Sequence, residues 1–439
     1  MRVVLFAAVL LAPLPAFAQD HRGHTMPPNS DIPAAPAPQD HPMHDMPGMA
    51  EEAAAYDAAT LPANSAAGSG TSRLPAADGM MQGGFHSMTG DWMLMAMGSA
   101  MLAYTDQGGP RGDTAAYTAS MAMLQGSREW ASGAKLTLGA MASLDPVNGR
   151  RGYPDLFASG ETAHGQPLVD RQHPHDLFME LSARIDAPLS RRLTGFVYAA
   201  PVGEPALGPS AFVHRRSARY LPLAPIAHHW FDSTHITYGV VTAGLATKGF
   251  QFEASAFRGR EPDEHRWNIE TPALDSWSVR ATWSPRPEWA LQLSHGRLEQ
   301  PEATHPGEDE RRTTASVHYG RGDISAMLAF SAKDRLPGPT LTAWLGEANW
   351  DLSKHHSLFG RIENVANDEL FPDHADPLHD RVFRVTRFEG GYAYRIPLGA
   401  GELALGGSLA AYAKPPALDA AYGRAPFGYT LFARLGLGM

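Results

Sequence analysis

From Asp91 to the C-terminus the chain keeps a period of two: short segments alternate apolar and polar residues, with turn residues between them. Successive side chains of a strand point to opposite faces, so this pattern predicts half-buried β-strands rather than helices. In 176–187, Leu177, Met179, Leu181, Ala183 and Ile185 share one face, and Glu180, Ser182, Arg184 and Asp186 share the other. In 275–283, Trp277, Val279, Ala281 and Trp283 oppose Ser276, Ser278, Arg280 and Thr282. Segments 134–144 and 402–411 repeat the arrangement, and the last one sets Leu431, Ala433, Leu435, Leu437 and Met439 on one face.

The spacing says more than any single strand. About sixteen candidate strands run from 91–104 to 427–438, and their connections alternate in length. Short ones fall at Ser190, 247–249, 284–287, 320–322 and 397–401; long ones fall near 146–175, 202–233, 260–273, 299–310, 366–381 and 414–426. A soluble sandwich has no reason to keep that rhythm, whereas outer-membrane barrels do. The fold class expected is therefore all-β, a transmembrane antiparallel β-barrel of about sixteen strands over 86–439. It must close on itself, because lipid offers no partner to an open sheet edge. Such a lumen is wide enough for water unless loops fill it. Its expected lining includes Glu180, Arg184, Asp186, Glu253, Arg280, Glu347 and Arg434, mixed charges that suit an aqueous pore or an interior braced by ion pairs.

The N-terminus sets the compartment. Arg2, the apolar run Val3 to Leu14, and Ala16-Phe17-Ala18 make residues 1–18 a secretory signal peptide, with a run too short to span a bilayer. The expected site is the outer membrane of a Gram-negative bacterium, with lipid as a partner and the N-terminal segment periplasmic. Residues 19–85 are rich in Ala, Pro, Gly, His and Met and poor in β-branched and aromatic residues, so they are expected to be disordered. Mean hydropathy is −0.26, as alternation would dilute it. Cysteine is absent, which excludes disulfides and thiolate metal sites. The formal charge of −10 carries no basic stripe, which argues against nucleic acid as a partner.

Candidate chemistry lies in two places. The first is the tract His21, His24, Met26, His41, Met43, His44, Met46 and Met49, whose imidazoles and thioethers suit copper; the plain alternative is a linker. The run His41–Met49 ahead of a barrel resembles the outer-membrane copper-resistance protein B family, and that resemblance implies copper sequestration or resistance. The second is a pair of long loops carrying His173 and His175, then His214, His228, His229 and His235. Loops of that length are uncommon unless functional. Brought together at the rim, His173, His175, His228, His229 and His235 would suit Zn²⁺ or Cu²⁺, with Asp176 or Asp232 orienting a ring. Alternatively they hydrogen-bond the loops into a plug. The segment 258–266, dense in charge, is expected to form salt bridges at the same rim.

Asp232, Ser233 and His235 are also the residue types of a hydrolytic triad, but strand alternation separates Asp232 from the other two and no Gly-x-Ser-x-Gly elbow is present. Three readings follow, in decreasing order. The leading one is a porin-like or copper-handling barrel with a periplasmic metal-collecting tail, passing a metal ion or small solute and trimeric by analogy with general porins. The second is a closed, plugged barrel that sequesters metal or acts as a structural or binding protein. The last is a rim hydrolase. Neither catalysis nor a cofactor other than metal is expected.

Overall fold

The computed structural model describes residues 64–78 and 84–438. Sixteen antiparallel strands close into one barrel. The first eight are β1 (Trp92–Gln107), β2 (Thr114–Glu129), β3 (Lys135–Ala142), β4 (Phe178–Ser190), β5 (Leu193–Gly203), β6 (Thr237–Ala246), β7 (Phe250–Phe257) and β8 (Ser276–Trp283). The second eight are β9 (Trp289–Leu298), β10 (Asp309–Arg321), β11 (Ile324–Leu336), β12 (Thr340–Asp351), β13 (His356–Asn367), β14 (Phe383–Leu398), β15 (Gly401–Ala413) and β16 (Phe427–Leu437). Each pairs with its sequence neighbours, and the seam runs from Gly428 opposite Gln107 to Leu437 opposite Gly98, joining β16 to β1. Below the seam, Phe85–Thr89 continues the wall by pairing with the start of β1. Every segment read from the alternation is a strand.

Connections after even-numbered strands are short, such as 191–192, 322–323 and 399–400. Connections after odd-numbered strands are mostly long, led by 143–177 and 204–236, with 108–113 and 337–339 as the short exceptions. The barrel thus has a short-turn end and a long-loop end. Its outer face is apolar: Leu102, Leu124, Leu293, Leu328 and Leu431 stand exposed around the wall. Trp130, Trp283, Trp289 and Trp350 ring the short-turn end. Aromatic bands of this kind flank the apolar belt of membrane barrels, where their amphipathic rings meet the headgroups.

The inner face is polar, yet it does not see bulk water. Glu253, Arg280, Arg312, Arg361, Glu363 and Arg387 are all buried. Isolated charges at that burial would be costly, so each needs a partner. The long loops supply many of them. Arg361 donates to the carbonyls of Leu223 and Ala224 at 2.9 and 3.0 Å, Arg387 pairs with Asp155 at 3.1 Å, and the Ser331 hydroxyl donates to the Trp230 carbonyl at 2.6 Å. Loops 143–177 and 204–236 therefore fold inward and fill the lumen.

The short-turn end is filled from the N-terminal side, which corrects part of the disorder expected for 19–85. Residues 64–78 are ordered, with Ser65–Ala67 pairing with Arg73–Pro75 as a small hairpin. This segment has too few apolar residues for a core of its own; the barrel wall provides its partners. Asn64 donates to the Ser284 carbonyl at 3.0 Å, Arg73 to Gln251 at 2.7 Å, and Ser325 to Asp78 at 3.2 Å. The signal peptide, the tract from His21 to Met49, and Met439 lie outside the described residues.

One guanidinium fixes the longer infold. Arg215 is fully buried; its Nε and Nη2 donate to both carboxylate oxygens of Glu347 on β12 at 2.7 and 3.2 Å, and Nη1 donates to the Ser210 carbonyl and to Asp232. Removing one partner of such a pair leaves a buried charge uncompensated, at about 3–5 kcal/mol. We expect Glu347→Gln to leave the barrel folded while loosening 204–236, seen as faster amide exchange and new protease cleavage there. Unchanged protection of that loop would show that the pair does not hold it.

Candidate functional site

The two longest loops bring their histidines together inside the barrel. His173 and His175 flank Pro174 just ahead of β4; His228 and His229 stand on the single helical turn His228–Phe231, and His235 on the 3₁₀ turn Ser233–His235. Ring centroids lie 5.5 Å apart for His173–His228, 5.7 Å for His173–His229, 5.3 Å for His228–His229, and 5.1 Å for both His175–His235 and His228–His235. Phe212 packs against His175, His228 and His235. The five histidines expected to converge do converge. They are buried within the infolded loops rather than set at the rim, because the loops turn inward to neutralise the charged wall.

Three of the rings are anchored alike. His175 Nδ1 lies 2.8 Å from Asp145, His228 Nδ1 lies 2.9 Å from the Asp232 carboxylate, and His235 Nδ1 lies 2.6 Å from the Asp232 carbonyl. A ring that donates through Nδ1 carries its lone pair on Nε2, which is how metal-ligating imidazoles are usually held. The Nε2 atoms of His175 and His235 are buried without a hydrogen-bond partner among the described residues. Asp145 is itself fixed by the Ser120 amide and hydroxyl at 2.7 and 3.1 Å. Of the two expected orienting carboxylates, Asp232 serves. Asp176 does not, since it accepts from Tyr238 and Arg266.

Electrostatics separate these rings from their neighbours. Burial pushes His173, His228 and His235 below the usual 6.5, keeping them neutral; Arg266 adds to the effect at His173, and Asp232 opposes it at His228 and His235. Burial would raise Asp232, but the His228 hydrogen bond and the Arg215 charge hold it well below the usual carboxylate range. His229 behaves oppositely: burial alone would lower it, yet Glu261 at 3.2 Å, with Glu161 and Glu302, outweighs burial and pushes it up to about 9.

Among the described residues three groups hold ligand atoms within 4.8 Å of one another, and the set His175, His228 and His235 is not one of them: Glu161, His173 and His229; His229, Glu261 and Glu302; and Glu302, His305 and Glu369. Protein cations already occupy them. Arg266 binds Glu161 at 2.9 Å, Lys333 binds Glu302 at 2.5 Å, and Arg335 sits 2.7 Å from His305 Nδ1. A metal ion there would meet like charge, whereas His175 and His235 present open Nε2 atoms and, with His228, would have to draw closer to share one ion.

The remaining expected residues brace the interior. Glu180 accepts from Ser182 and Tyr198, Arg184 pairs with Asp186, Glu253 with Arg280, Glu347 with Arg215, and Arg434 lies over the Tyr220 ring. In 258–266, Arg258 pairs with Glu270, while Glu261 and Arg266 reach inward to the histidine cluster rather than staying at the rim. The Ser233 hydroxyl is held by Arg312 at 2.8 Å and not by His235, so the residues of the supposed triad serve different networks. Asp145, Phe212, Glu161 and Glu302 carry no sequence signal that marks them, because loops remote in the chain bring them in.

No family model matches the chain, and no curated protein matches it in sequence. Among solved structures it is similar to Salmonella typhi OmpF in complex with daunomycin, at TM-score 0.52 and 8% identity over 80% of this chain and 100% of that one. It is also similar to the anion-selective porin from Comamonas acidovorans, at TM-score 0.50 and 12% identity over 79% of this chain and 100% of that one. The fold is thus the barrel of outer-membrane porins.

His214 offers a test of the buried environment. Both ring nitrogens lack a partner among the described residues, and burial pushes it down to about 4. Below 6.5 the unfolded chain takes a proton that the native ring refuses, so native stability falls with pH until about 4. We expect His214→Leu to gain on the natural protein by about 1.4 kcal/mol per pH unit over that window in detergent unfolding. A gap independent of pH would place His214 in contact with water.

Proposed function

We propose that this chain is an outer-membrane barrel that holds a transition-metal cation in its filled lumen, capturing the ion rather than passing bulk solute. The observation that carries this reading is the set of His175, His228 and His235, each anchored through Nδ1, with Nε2 atoms on His175 and His235 buried and without a partner among the described residues; the rings would draw together around the ion. Neutral imidazoles suit Zn²⁺ and Cu²⁺, and Asp145 and Asp232 supply compensating negative charge one bond away. The short-turn end faces the periplasm in this reading. The tract His21, His24, Met26, His41, Met43, His44, Met46 and Met49 then collects copper there, as the copper-resistance resemblance suggests. Trimeric assembly is part of the same proposal.

The likeness to porins favours a second reading, in which a small solute passes once the infolded loops move. Two measurements on the full-length protein in detergent separate the two. In equilibrium titration with Zn²⁺, His175→Ala, His228→Ala and His235→Ala should each weaken binding by about 10–100-fold, the range lost when a metal site is disturbed. His305→Ala should leave it unchanged. In planar bilayers the natural protein should carry little current. Porin-sized conductance together with no histidine-dependent metal binding would establish the solute reading instead.

A further inference from the structure

The methionines of the barrel are segregated. All those in the described residues except Met327 lie between Met88 and Met179, on β1 to β4 and the short strand Phe85–Thr89. Met95, Met97, Met121, Met123, Met141 and Met179 are buried in one cluster on the lumen side. The register sets Met97 directly opposite Met123, and Met123 directly opposite Met141, so one row crosses three strands. Side chains so placed stand about 5 Å apart at Cβ. The line continues to the short-turn end, where Met93 lies opposite Met88 and both are exposed.

Filling space does not account for this choice. Leu and Met are close in volume and exchange readily in cores. On these same strands long aliphatic side chains facing lipid are leucine, as at Leu102, Leu124 and Leu138, whereas those buried on the lumen side are methionine, beside Ala103 and Tyr117. Elsewhere the lumen wall carries buried arginines such as Arg280, Arg312 and Arg387, and its buried aliphatic residues are mostly not methionine, as at Leu341, Leu345 and Val365. The row also leads somewhere. Met101 and Met121 line a cavity of about 80 Å³ whose other walls include Asp145, His173, His175 and Phe212, which places thioethers beside the histidine centre. Buried Ile236, next to His235, belongs to the methionine cluster itself.

We propose that this methionine row is a thioether site for a soft monovalent cation, Cu(I) or Ag(I), extending from the short-turn mouth to the histidine cluster. Thioether sulfur is a soft, uncharged ligand that selects Cu(I) over hard and borderline ions. A row of equivalent donors at neighbouring heights lets an ion exchange between pairs without crossing the charged part of the lumen. No change of oxidation state is required along it.

Silver(I) is the probe, since it is redox-inert. The full-length protein carrying methyl-¹³C methionine is titrated with silver nitrate in chloride-free detergent buffer and followed by methyl NMR. Signals assigned to Met97, Met123 and Met141 through single leucine variants should shift. The triple variant Met97→Leu, Met123→Leu and Met141→Leu should bind fewer silver ions than the natural protein, with the N-terminal tract common to both, and should keep its Zn²⁺ affinity. His175→Ala should do the reverse, losing Zn²⁺ and keeping silver, so this proposal and the histidine reading can fail separately. Barrel methionine signals unmoved by silver, or equal silver binding in natural and triple-leucine proteins, would reduce the row to packing.

Discussion

The constraint on which the rest of this structure depends is the charge of its own inner wall. A sixteen-strand barrel encloses more space than inward side chains can fill, and here that wall carries buried arginines and glutamates. Left in a water-poor interior without partners, these groups would destabilise the barrel. Two long loops from one end and a short N-terminal segment from the other supply the missing carbonyls and countercharges. The loops fold inward because they neutralise the wall, and the candidate metal centre forms because they fold inward.

Asp232 shows how closely the two roles are joined. Its carboxylate takes a hydrogen bond from Arg215, which is held by Glu347 on the wall, and it orients His228; its carbonyl orients His235. A change at the wall is therefore felt at His228 through three hydrogen bonds. The carboxylate-rich clusters nearby follow a different logic: Lys333, Arg335 and Arg266 already satisfy them, so they stiffen the plug.

Much of the fold was legible because alternation and turn spacing are local properties. The face assignments hold through β8 and in β4 from Ala183 on, with Ile185 and Trp277 exposed and Asp186 and Arg280 buried. Met179, expected on the face of Ile185, is instead buried in the lumen, because register shifts interrupt the start of β4. The convergence of the five histidines was also accessible, since both loops end where a strand re-enters the wall. Burial of the centre was not accessible, because it depends on Arg215 meeting Glu347 across 132 positions of sequence. The same holds for Asp145, which the sequence does not distinguish from any other residue at a strand end. The ordering of 64–78 escaped a compositional reading because its partners, Gln251 and Ser284, belong to other strands and turns. The methionine row is the opposite case: Met93, Met95 and Met97, then Met121 and Met123, recur at a spacing of two, a signal present in the sequence and easily absorbed into the hydrophobic count.

The two fillings of the lumen meet at a small seam. Ser69 from the N-terminal segment and Ser210 from the long loop share a hydroxyl contact of 3.1 Å, and the Ala211 amide donates to Ser69 at 2.7 Å. An ion pair crosses the same seam: Arg216 of the long loop lies 3.9 Å from the Asp78 carboxylate of the N-terminal segment and donates to the Asp78 carbonyl at 3.4 Å. The interior is therefore a stopper in two halves, latched to each other as well as to the wall.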